Sequence, residues 1–93
     1  MAQYVKAANL TVENTYTDWI DCDGLFNLSI SGTWAGTLTL QRSYDEGTTP
    51  LDIKTYTANE EAIVTNPEKG MYHRVGFKTS EFTSGTAVVR LSK

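Results

Sequence analysis

The feature that most constrains this chain is a period of two, repeated in short runs. In Phe26-Asn27-Leu28-Ser29-Ile30-Ser31 every second residue is apolar, which puts Phe26, Leu28 and Ile30 on one face of a strand. Thr37 to Arg42 alternates the same way with Leu38 and Leu40 inward, as do Leu51 to Thr55 and Thr86 to Leu91, the last with Ala87, Val89 and Leu91 in phase. Met71 to Thr79 is the longest run, with Val75 and Phe77 on one face and Tyr72 and Arg74 on the other. Shorter strands are expected at Leu10 to Val12, Thr17 to Cys22 and Ala62 to Thr65. Helix-forming composition is confined to Ala58 to Ala62, too short to stand alone.

Turn residues separate these runs roughly every 8–12 residues, the spacing of sandwiches and barrels. They include Asp23-Gly24, a loop between glycines from Gly32 to Gly36, Tyr44 to Thr49, and Ser84-Gly85. In Asn66-Pro67-Glu68-Lys69-Gly70, proline presets φ for a type I turn and glycine can take a following positive φ. A single layer of such short strands would leave one apolar face wet. The expected fold is therefore all-β: one antiparallel β-sandwich or jelly-roll-like domain of roughly seven to eight strands over residues 1–93. At 93 residues there is room for one modest core and no second domain.

Charge narrows the partners. The net charge of −3 is the wrong sign for nucleic-acid binding, which releases counterions through a basic footprint. Up to Gly47 the acids Glu13, Asp18, Asp21, Asp23, Asp45 and Glu46 face only Lys6 and Arg42. No apolar run approaches the ~20 residues of a membrane helix, and Met1 to Lys6 has no basic-then-apolar leader. Neither nucleic acid nor membrane is expected as a partner.

Chemistry is sparse. Cys22 is the single cysteine and His73 the single histidine, so there is no intrachain disulfide and no thiolate cluster. His73 could serve a triad only if Ser and Asp reached it from other strands, and no motif flanks either residue. Asp18, Asp21 and Asp23 beside Gly24 lack the alternating ligands and terminal Glu of a calcium loop, and read as a solvated strand end. No phosphate loop is present. We expect no catalytic residue, cofactor or metal, and no enzyme.

Trp34 stands out because it lies in the glycine-bounded segment. It either caps one end of the sandwich, contacts a protein partner or stacks on a sugar. With Thr33 and Tyr44 it forms the candidate partner-contact set, while Trp19, on a strand, is expected in the core.

Ser43-Tyr44-Asp45-Glu46-Gly47-Thr48-Thr49 resembles the Asp-box hairpin S-x-D-x-G-x-T of sialidase propellers. That likeness implies a structural turn built on Ser43, Asp45 and Gly47, with no catalytic part. Pro50 stands where the box carries Trp, and there is only one copy. A wider likeness covers Phe26 to Leu91. It is carried by Leu28 to Ser43 running into the box, by Gly70-Met71-Tyr72-His73-Arg74, and by Thr83 to Leu91. This pattern resembles small β-sandwich proteins encoded among the structural genes of tailed bacteriophages. The resemblance implies a virion component made in the host cytoplasm. The expected role is a capsid decoration, or cement, protein on the capsid surface. Its partners would be the major capsid protein or other virion proteins, and it would form a homo-oligomer such as a trimer. The alternative is a receptor- or carbohydrate-binding module of a fibre or tail.

Overall fold

A computed structural model describes residues 5–93, with the side chains of residues 22–24 and 66–70 left out of that description. The turns expected at Asp23-Gly24 and Asn66 to Gly70, and the Cys22 thiol, lie outside the described residues. The elements are β1 (Val5–Leu10), β2 (Thr15–Tyr16), β3 (Ile20–Ser43), β4 (Leu51–Tyr56) and β5 (Glu60–Ser92), all paired antiparallel.

Two of these strands are far longer than their sequence punctuation suggests, and their partners change along their length. Residues 25–30 of β3 pair with 60–65 of β5, residues 27–35 with 84–92, and residues 36–43 with 72–82. β1 lies on 87–92, β2 on 76–77, and β4 on 38–42. One layer therefore runs in the order 5–10, 84–92, 25–35, 60–65. The other runs 15–21, 72–79, 36–43, 51–56. The chain alternates between layers so that each layer holds sequence-distant neighbours, which is jelly-roll order. The antiparallel sheet stays continuous because β3 and β5 pass from one layer into the other.

The corner where they cross falls on the segments expected to be loops. Thr33 pairs with Thr86, Trp34 with Gly85 and Ala35 with Ser84, so Gly32 to Gly36 and Ser84-Gly85 are paired strand and not loops. The glycines bend the strands without ending them. Gly85 has φ +88, and a Cβ there would sit 2.2 Å from the Thr33 carbonyl oxygen. Only glycine lets the two backbones approach so closely.

The inward phases agree with the alternation. Phe26, Leu28 and Ile30 from one layer and Leu38, Leu40, Val75 and Phe77 from the other share one core with Ala87, Val89 and Leu91. The Phe26 and His73 rings meet across the two layers at 4.6 Å, tilted by 48°. The N-terminal strands differ from expectation. The first is Val5–Leu10, because this segment completes the layer against residues 87–92, while Val12 is exposed. The second is interrupted: after β2, Thr17 takes over the pairing by donating its N–H to the Val75 carbonyl and accepting the Val75 N–H on Oγ1, at 2.9 and 3.2 Å. The Ala58 to Ala62 stretch with helix-forming composition leads into strand from Glu60.

Candidate interaction surface

The expected turn residues meet in one hairpin. Ser43 donates its hydroxyl to Asp45 Oδ1 at 2.6 Å and accepts the Gly47 N–H at 2.9 Å, while the Thr49 N–H reaches Asp45 Oδ1 at 2.8 Å. Hydrogen bonds from Ser43 and then Thr49 hold the Asp45 carboxyl down to about 2. Gly47 has φ +98, and a Cβ there would meet Trp19 Nε1 at 2.6 Å. Trp19 thus sits on this turn and is not part of the core cluster, contrary to expectation.

Trp19 also covers the sheet. The Arg74 guanidinium lies between two rings, 3.8 Å from the Tyr16 centroid and 4.6 Å from that of Trp19. Its Nε donates to Gln41 Oε1, Gln41 Nε2 donates to Asp52 Oδ1, and Lys78 Nζ meets Asp52 Oδ2 at 2.6 Å. Lys78 and then Gln41 lower the Asp52 carboxyl, and burial lowers Arg74. The outer face of this layer is therefore roofed by the chain's own N-terminal segment and joined into one polar chain.

The candidate contact residues are not brought together. Trp34 is half-buried, its ring edge-to-face on Phe77 at 5.7 Å, and its Nε1 donates to Asn59 Oδ1 at 2.8 Å. Asn59 in turn donates to the Gly32 carbonyl, which seats the 57–59 segment on the corner. This placement is that of a cap on the sandwich, and it lends no support to a sugar platform. Thr33, beside it, is exposed. Tyr44 is exposed near the opposite end of the 34–43 run, with Arg42 over its ring at 5.4 Å. His73 is only 2% exposed, and its Nδ1 has no hydrogen-bond partner among the described residues. Burial first, and Arg42 second, lower it to about 4. Among the described residues, Nδ1 thus has no carboxylate partner of the kind that orients a triad histidine. Among the described residues no three His, Cys, Asp or Glu side chains gather as a metal site would require.

The outer face of the other layer is open, and sequence reading did not single it out. Its outward positions are Leu25, Asn27, Ser29 and Ser31 on β3, flanked by Glu61, Ile63 and Thr65 on one side and Val88, Arg90 and Ser92 on the other. Ile63 is 71% exposed and Leu25 62%, the two most exposed large apolar side chains described. They are diagonal neighbours, since Ile63 pairs with Asn27 and Leu25 with Thr65. Residues 60–65 form the open edge of this layer, with no strand beyond them among the described residues. A signal was present: Leu25 and Ile63 are apolar residues out of phase with the inward positions around them. No protein-family model matches the chain, and no curated protein matches it.

Proposed function

We propose that this chain is a non-catalytic structural protein of a bacteriophage virion, a decoration protein that binds the capsid surface and braces neighbouring subunits. The observation that carries the binding reading is the open outer face, where Leu25 and Ile63 stand exposed beside an unpaired strand edge. Apolar side chains grouped in that way mark association surfaces, and a bare edge pairs with other chains unless something covers it. The virion setting rests on the likeness of Phe26 to Leu91 to small phage structural proteins, and the net charge of −3 suits an outer surface better than one facing packaged DNA. Binding to several subunits at once raises effective affinity. Because such a ligand binds only the intact shell, it stabilises the shell.

The test compares particles assembled with and without this chain. The expected result is that the protein copurifies with particles and raises the temperature at which they release DNA. Equal heat resistance together with failed adsorption to cells would replace this reading with a receptor-binding one.

A further inference from the structure

The open face carries a second feature beside its apolar residues. Asn27, Arg90, Ser92 and Lys93 line a concavity of about 340 Å³ on its outer surface. The lining side chains are two cations, of which Lys93 already has an interaction of its own, and two hydrogen-bond donors, with no side-chain carboxylate among them. Arg90 is exposed and makes no ion pair or hydrogen bond among the described residues. The nearest acid on this face by register is Glu61, on the far side of Ser29, and its Oε2 already accepts the Ser29 hydroxyl at 2.6 Å. The guanidinium therefore stands ready to take an oxyanion as a two-pronged donor.

Register fixes how this cationic site lies relative to the apolar one. Ile63, Asn27 and Ser92 form one row across three strands, with Arg90 two residues from Ser92 on the same face. Arg90 is two inter-strand spacings across and two residues along from Ile63, about 12 Å on the diagonal, and side chains on one side of an extended segment recur every ~6.7 Å. Allowing for the reach of arginine, an acid at one position of an extended segment and an apolar residue two positions on would meet Arg90 and Ile63 together.

We infer that the open face binds an extended segment of a partner protein that carries a carboxylate and, two residues away, a large apolar side chain. Arg90 takes the carboxylate, with Asn27 and Ser92 as neighbouring donors, and Ile63 with Leu25 takes the apolar group. The inference rests on the partner-binding reading above and names the chemistry of that partner. A basic partner is disfavoured by the Arg90 charge, and an uncharged apolar one leaves the guanidinium desolvated without a counter-charge.

The test is an amide chemical-shift titration of the intact protein with the blocked peptide acetyl-Thr-Glu-Thr-Leu-Thr-amide, up to about 10 mM because short peptides bind weakly. The same titration uses the peptide with Gln for Glu, the peptide with Ser for Leu, and inorganic phosphate alone. Shifts at Asn27, Ile63, Arg90 and Ser92 are expected with the Glu-Leu peptide. Affinity should be weaker by about tenfold for the Gln peptide and for Arg90→Gln protein, and by about fivefold for the Ser peptide. Arg90→Gln should melt with the wild type, because the side chain is exposed. Equal binding of the Glu and Gln peptides, shifts centred elsewhere, or no shifts would overturn the inference. So would phosphate saturating the same amides at concentrations no higher than the peptide, which marks a small-anion site. If particles still bind the protein while the peptide does not, only the partner chemistry fails. If particles never bind it, the virion reading fails, whatever the peptide does.

Discussion

The two outer faces of this sandwich are made from the same kind of strand and end in opposite states. Over residues 15–21, 72–79, 36–43 and 51–56, the outward Arg74, Gln41, Asp52 and Lys78 all have partners from the chain itself. Arg74 lies between Tyr16 and Trp19, Gln41 bridges Arg74 and Asp52, and Lys78 closes the series. Over residues 5–10, 84–92, 25–35 and 60–65, the Ser29 hydroxyl reaches Glu61 across strands, and Ile63, Leu25 and Val88 face outward uncovered. The difference comes from the segment after β1, which folds over the first face and has no counterpart on the second among the described residues. A face satisfied within its own chain adds to stability; a face left open is available to another chain.

If that contrast is right, the covered face should be the sensitive one. Arg74→Ala removes a guanidinium stacked on two rings, where a desolvated cation–π contact is worth about 2 kcal/mol. It also strips the buried Gln41 of one partner, at a further 1–3 kcal/mol or so. A loss of about 3–4 kcal/mol in urea denaturation is expected, the largest effect at any outward position. Arg74→Lys should recover only part of it, because an ammonium cannot lie flat between the rings. A loss below about 1 kcal/mol would mean that the roof over this face contributes little.

The interior beneath that face gives a pH dependence of slightly smaller size. His73 is enclosed by Phe26 from the opposite layer, by Ile20 on one neighbouring strand and by Arg42 on the other, and it is lowered from 6.5 to about 4. The unfolded chain takes up a proton as pH falls through 6.5, while the folded protein does so only near 4. Stability should therefore be complete above about pH 6.5 and decline between there and pH 4, by roughly 3 kcal/mol. Asp45 acts lower still: its contribution is present above its ordinary value of 3.8 and lost as pH falls towards 2. His73→Phe should flatten the decline between pH 6.5 and 4 and leave the Asp45 contribution below it. A His73→Phe protein with an unchanged profile would assign the decline to other groups.

These effects depend on residues that meet only in three dimensions, which explains what was legible in the sequence. The inward phases of Phe26, Leu28 and Ile30, and of Ala87, Val89 and Leu91, followed from period two alone, because a half-buried strand has no other solution. Glycine spacing at Gly32 to Gly36 suggests a loop because it looks the same whether a strand ends or bends; the pairing of Thr33 with Thr86 decides it. A strand position suggests the core for Trp19, yet its partners Arg74 and Gly47 lie on distant segments that local pattern cannot connect. The virion reading came from resemblance, whereas the open face was within reach of pattern: Leu25 and Ile63 each break the phase of their neighbours.

A third test addresses the joint between the covered face and the Ser43 turn. Gly47→Val forces a β-branched residue into φ +98 and drives a Cβ to 2.6 Å from Trp19 Nε1. About 2 kcal/mol of destabilisation is expected, of the kind that backbone strain produces. Trp19 fluorescence should shift to the red in the folded variant as the indole is displaced into water. A drop in stability without a fluorescence change would leave the turn strained but independent of the roof.

The smallest stability effect is expected on the open face. Ile63 is 71% exposed, so Ile63→Ser removes little buried apolar area, and the melting temperature should move by no more than about 0.5 kcal/mol would cause. Serine has a lower strand preference than isoleucine, but at an edge position that cost is itself a fraction of a kcal/mol. Association should respond far more: the double variant Leu25→Ser, Ile63→Ser should lose most of its attachment to particles while folding as well as the wild type. Measured side by side, thermal melting and particle binding then separate the two faces, since Arg74→Ala costs stability and the serine variant costs binding. If Ile63→Ser instead lowers stability by more than about 1 kcal/mol, its side chain is packed by its own chain, and the open face is closed after all.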